Sequence, residues 1–146
     1  MTILRKLYDF DIPLEDLVMI YNMYVRLILE YNSSVWFSSI INEERENLER
    51  VQRVACKIIL KDNYKNYNQA LKMLNLQNLS NRRQMRAGRF ANKCVKNKRF
   101  CNLFPLADKS STRSDDKFVV QFASTSRLKD SSIPAMQIIL NKEGKQ

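Results

Sequence analysis

The sequence predicts an all-α fold, a small helical bundle of about four to five helices with a loosely ordered C-terminal tail. Three observations carry that prediction. Only two Gly and three Pro occur among the 146 residues, too few for a turn-rich all-β architecture, whereas the abundant Leu, Lys and Arg are good helix formers. Apolar residues recur at three- and four-residue steps along the first part of the chain. In the clearest of these stretches acidic residues come first and basic ones last, the order that a helix macrodipole favours. At this length one domain is expected, able to bury about 68–70% of the surface its unfolded chain exposes.

Pro13, Glu15 and Asp16 make a start for the first long helix, the proline free of any hydrogen-bond obligation and the acids facing the positive end of the dipole. Leu17, Ile20, Tyr21, Tyr24, Leu27, Ile28 and Tyr31 then supply its expected buried face. Asn42 is the expected cap of the next helix, in which Glu43, Glu44, Glu46 and Glu49 precede Arg50, Arg53, Lys57 and Lys61. Its apolar face is Leu48, Val51, Ala55, Ile58 and Ile59. A short helix is expected from Tyr67 to Leu74 with Asn66 as cap, and a long one from about Asn81 to Lys98 with Ser80 as cap. Beyond Asp108 the composition shifts to Ser, Thr, Lys and Asp. The chain therefore divides on sequence into a helical domain, 1–107, and a polar tail, 108–146. The tail carries one strand-like run, Phe118-Val119-Val120, and a short amphipathic helix around Ile133, Met136, Ile139 and Leu140.

The charge is unevenly placed. The net charge is +10, which calls for an anionic partner or a basic surface. Between Asp62 and Asp108 there is no acid, while Lys65, Lys72, Arg82, Arg83, Arg86, Arg89, Lys93, Lys96, Lys98 and Arg99 all fall in that window. At about 100° per helical residue, Arg82, Arg86, Arg89, Lys93 and Lys96 lie within roughly 80° of one another. They make one basic stripe roughly 21 Å long, enough to follow several phosphates of a duplex. Ala87, Ala91, Cys94 and Val95 lie opposite, small residues suited to close helix packing. The plainer alternative is a solvated cationic face without a ligand. Arg83 falls off the stripe near the apolar face, where a charge needs a partner. A structural ion pair with Glu30 or Glu49 is expected, the alternative being that Arg83 reaches solvent along its methylene stem. Trp36 and Phe37 are candidates for base stacking or, more ordinarily, for the core.

Much chemistry is excluded. Without a histidine there is no histidine base and no histidine metal ligand, and no metal site or cofactor is expected. Cys56, Cys94 and Cys101 lack a metal-binding or redox spacing and read as free thiols of a reducing, intracellular compartment. Gly88 and Gly144 stand alone, so no glycine-rich phosphate loop exists. The pair Asp115-Asp116 sits in a polar loop without flanking strands, unlike the metal-binding carboxylates of a polymerase palm. No apolar stretch is long enough to span a membrane, and Asp9 and Asp11 interrupt the N-terminal segment, so neither membrane insertion nor a signal peptide is expected.

Three segments in fixed order extend this reading: Leu29-Glu30-Tyr31 running to Trp36, then Leu48-Glu49-Arg50-Val51-Gln52-Arg53, then Leu76, Leu79 and Arg82-Arg83. Together they resemble the extreme C-terminal, thumb-side part of a reverse transcriptase from a non-LTR retrotransposon, of the jockey and CR1 kind. The resemblance covers residues 10–105. The stretch from Ser126-Arg127-Leu128-Lys129 to Ser131-Ser132-Ile133-Pro134 resembles the closing residues of such reading frames. It implies a non-catalytic module of an RNA-directed DNA polymerase family, contacting template RNA or an RNA–DNA duplex through phosphates, with the polymerase portion of a parent element as a second partner. It further implies residence where element RNA is bound and copied, cytoplasm and nucleus both included. The other expectations are a protein-interaction domain, recognisable by exposed Met19, Met23, Tyr24 or Trp36, and a retroelement fragment without selected function.

Overall fold

A computed structural model describes residues 2–108 and 116–143. Among these the fold is all-α: α1 (Thr2–Tyr8), α2 (Leu14–Ile20), α3 (Leu27–Leu29), α4 (Ser33–Trp36), α5 (Asn42–Leu60), α6 (Tyr67–Met73), α7 (Leu79–Lys96), α8 (Ser126–Lys129) and α9 (Ser132–Glu143). Most of the helices anticipated from periodicity are present. The contacts divide the chain into two compact units, one of residues 1–31 and 41–82 and the other of residues 32–40 and 83–146. The division therefore falls within α7 and not at 107/108, because the tail does more than trail behind a finished domain.

In the first unit α1, α2, α5 and α6 surround a core of Leu4, Leu17, Tyr21, Ala55, Cys56, Ile59, Leu60, Ala70, Leu71, Leu74 and Leu76. A π-helical stretch, Tyr21–Arg26, joins α2 to α3 without a break. Its i→i+5 turns hold more residues than α turns, so residues four apart stay in line and do not drift by about 40° per step. The inward line is accordingly Leu17 and Tyr21, both buried, followed by the half-buried Val25 and Leu29. The expected inward face is corrected in its second half: Tyr24, Leu27, Ile28 and Tyr31 are 69, 59, 77 and 75% exposed.

Capping explains the helix ends. Asn66 caps α6 as expected, its Oδ1 accepting from Gln69 N at 2.8 Å. Asn75, at φ 49°, stands just past the end of α6, where Leu76 N donates to Leu71 O at 2.8 Å and Asn75 N to Lys72 O at 3.2 Å. This is a Schellman ending, and it brings Leu76 back onto the core beside Leu71. Two expected caps move. Ile41 precedes α5 in extended conformation, and its N–H donates to Glu44 Oε2 at 3.2 Å, so Asn42 is the first helical residue. Asn78 caps α7, accepting from Ser80 N at 2.8 Å and Asn81 N at 3.2 Å. Its planar amide reaches both amides at once, so the helix starts earlier than a Ser80 cap would allow.

The second unit packs residues of the tail between 116 and 143 against the later part of α7. Phe104, Phe118, Met136 and Leu140 pack with Ala91 and Cys94, with Phe37 and Val95 at the margin. Among the described residues the run at 118–120 forms no sheet. Phe118 makes a single antiparallel bridge with Leu106, and the amide side chains of α9 supply the rest of its hydrogen bonding. Asn141 accepts from Phe118 N at 2.9 Å and donates to Phe118 O at 3.0 Å. Gln137 accepts from Gln121 N at 3.0 Å and donates to Leu103 O at 2.9 Å. Two buried amides thus do for an extended segment what a neighbouring strand normally does. Gly88 lets α9 approach α7 closely: a Cβ there would lie 2.6 Å from Glu143 Oε1 and 3.3 Å from Ile139 Cγ2.

Candidate nucleic-acid interface

The stripe sits on α7, a helix with no acidic residue in its first turn and with Lys93 and Lys96 in its last. Arg86, Arg89, Lys93 and Lys96 are all exposed along its outer side. The opposite side is buried as expected, Ala87 and Ala91 at 0% and Cys94 at 8% exposure. Arg82 departs from the stripe. Its Nε lies 2.8 Å from Oε1 of Glu30, whose side chain is 2% exposed, so its charge is engaged within the first unit. A buried carboxylate holds a neighbouring guanidinium far more firmly than solvent-screened phosphate contact does. The stripe is thereby shortened to four cations spanning roughly 15 Å.

Arg83 is 2% exposed; it does not reach solvent. Its guanidinium carbon lies 5.7 Å from the ring centroid of Trp36, a cation–π distance. Trp36 is half-buried, covered by this contact on one side and not presented as an open stacking platform.

Glu49, 7% exposed, anchors a polar network that extends beyond the expected ion pair. Its Oε1 accepts from the Tyr67 hydroxyl and from Leu79 N at 3.3 Å. Gln52, fully buried, accepts from the Tyr21 hydroxyl at 2.7 Å and donates to Tyr67 Oη and Gln77 O, both at 2.9 Å. Burial pushes the Tyr21 phenol well above its ordinary range. Burial, and then the hydrogen bond to Glu49, does the same for Tyr67. Burial raises the Cys56 thiol to about 11 and also lifts that of Cys94. Each of these side chains hydrogen-bonds another member or the backbone, so the network ties α5 to α6 and to the start of α7. Gln52 was missed although it is three residues beyond Glu49 on the face of Ala55 and Ile59, and that polar pair on an apolar face was the available signal.

Three cations of the basic edge of α5 have neighbours at the surface of the first unit. Arg53 lies 5.2 Å over Tyr67 and 3.8 Å from Glu46. Lys57 lies 5.4 Å from the Tyr64 ring centroid. Lys61 lies 3.6 Å over Tyr8 and 3.9 Å from Asp9. Among the described residues no group of His, Cys, Asp or Glu is arranged to hold a metal ion, none of the three cysteines forms a disulfide, and no helix is long and apolar enough to cross a membrane. Asp115 of the sequence pair Asp115-Asp116 lies outside the described residues. No family model, curated protein or solved structure matches the chain.

Proposed function

We propose that the chain is a non-catalytic helical module that holds template RNA or an RNA–DNA duplex by its phosphates, in the manner its resemblance to the C-terminal part of a non-LTR reverse transcriptase implies. The observation that carries this reading is the row Arg86, Arg89, Lys93 and Lys96, exposed on one side of one helix. It lies in a unit with fourteen basic and five acidic residues. Long cationic side chains on a straight helix neutralise phosphates and fix position without reading bases, so sequence preference is weak. In this reading the module carries out no chemistry of its own and acts by holding. Fluorescence anisotropy with an RNA–DNA hybrid, duplex RNA and single strands tests this. Replacing the four cations by Gln lowers affinity at least about tenfold for every sequence tried, a loss of roughly 1.4 kcal/mol. Equal, weak binding by parent and variant overturns the reading.

A second reading, a protein-interaction domain, is favoured by one observation: Met19, Met23 and Tyr24 are 48, 54 and 69% exposed. It concerns a different surface and does not exclude the first.

A further inference from the structure

The first unit presents to water an apolar face that its own core does not use. Because the π-helical stretch keeps residues four apart in line, Met19, Met23 and Leu27 form one row along the helix, and Tyr24 and Ile28 a second row beside it. Beside Tyr24 a groove of about 360 Å³ is lined by Ile3, Leu4, Leu7, Ile20, Tyr24 and Val25, without a charged residue. Ile3 on its rim is 68% exposed.

We propose that this face is the contact between two copies of the chain, related by a two-fold axis, with the helices of residues 14–29 packed antiparallel. Three arguments select a second copy as the occupant. The first is area. At exposures of 48 to 77%, Ile3, Met19, Met23, Tyr24, Leu27 and Ile28 leave on the order of 750 Å² of mostly apolar side chain in water, taking roughly 200 Å² for a large side chain. A stable interface uses about 800 Å² per partner, and apolar patches left on monomers are about 300–600 Å². The second is shape. A two-fold contact needs one surface that complements itself; here a ridge and a groove lie side by side, so the ridge of each copy enters the groove of the other. The third is charge. The six side chains of the face and the lining of the groove are uncharged, so the contact itself sets no like charges together, while the net charge of +10 on each chain makes the association weaker at low salt. Antiparallel packing also sets the two helix dipoles in opposition, which is the favourable arrangement.

Sedimentation equilibrium of the full chain, freed of nucleic acid and run from about 1 to 100 µM, a span of roughly 3 kcal/mol in dissociation free energy, is the test. A reversible monomer–dimer equilibrium is expected. The exposed substitution Leu27→Asp, and independently Ile28→Asp, should raise the dissociation constant more than about thirtyfold with helix content by circular dichroism unchanged. A chain monomeric throughout overturns the proposal and assigns the face to a different protein. A dimer that persists at the parent's strength in both folded variants overturns it as well, placing the contact elsewhere.

Discussion

The two units contain the same kinds of residue and use them differently. In the first, eleven basic residues meet ten acidic ones, and in the second, fourteen meet five. Several cations of the first unit are turned inward or along its surface onto rings and carboxylates: Arg82 onto Glu30, Arg53 onto Tyr67 and Glu46, Lys61 onto Tyr8 and Asp9. The second unit stitches its interior with uncharged amides, Gln137 and Asn141, and sets Arg86, Arg89, Lys93 and Lys96 out in solvent. Net charge alone therefore locates no binding surface. What matters is where the fold sets its cations, in an exposed row on one helix face or singly beside acids and rings.

The contrast can be broken first at Gln52. Gln52→Leu strips a partner from Tyr21, Tyr67 and Gln77 O together, and leaving buried polar groups unanswered costs about 1–3 kcal/mol each before relaxation. A loss of about 3 kcal/mol in urea unfolding is expected, with salt-dependent nucleic-acid binding retained by the molecules that remain folded. Gly88→Val attacks the other unit. Its methyl groups must displace Ile139 as well as the carboxylate end of Glu143, and overpacking of this kind costs about 1–3 kcal/mol. Faster hydrogen exchange in α9, with α5 and α6 little changed, checks it.

Alkali gives the smaller and more selective effect. Tyr21, Tyr67 and Cys56 of the first unit all have raised folded values, against Cys94 in the second. A group whose pKa is raised on folding stabilises the native state below its unfolded value and loses that contribution as pH climbs toward the folded one. The thiol and phenols ordinarily titrate at 9.0 and 10.0, so stability should decline from about pH 9 upward. The tyrosinate absorbance that is lost in Tyr21→Phe and in Tyr67→Phe should appear together with loss of helix from the first unit. Ionisation of either of these two phenols at its ordinary pH while α5 stays folded would contradict the buried network.

Much of this was legible in the sequence. The periodicities located the long helices, Asn66 announced its cap, and the small residues opposite the stripe marked the buried side of α7. The rest was hidden for definite reasons. A π turn leaves no mark in a three- and four-residue apolar pattern, so the pattern places Tyr24 and Ile28 on the buried face, whereas they are exposed. Arg82 fits the stripe by angle, and only the fold reveals Glu30 within 2.8 Å of it. The tail is polar in composition, yet Phe118, Met136 and Leu140 are enough for a core once Gln137 and Asn141 satisfy the extended backbone beside them.

The most direct measurement compares two sets of four cations under salt titration with an RNA–DNA hybrid. One variant replaces Arg86, Arg89, Lys93 and Lys96 by Gln, and the other replaces Arg50, Arg53, Lys57 and Lys61. The sets are equal in charge, and in the second Arg53, Lys57 and Lys61 already lie against rings or carboxylates of the first unit. Expected is a flattening of the dependence of log K on log salt by up to about 3.6 for the first set, at roughly 0.9 per phosphate contact, with little change for the second. Equal flattening by both sets, or none by the first, would contradict the assignment of binding to the exposed row on α7.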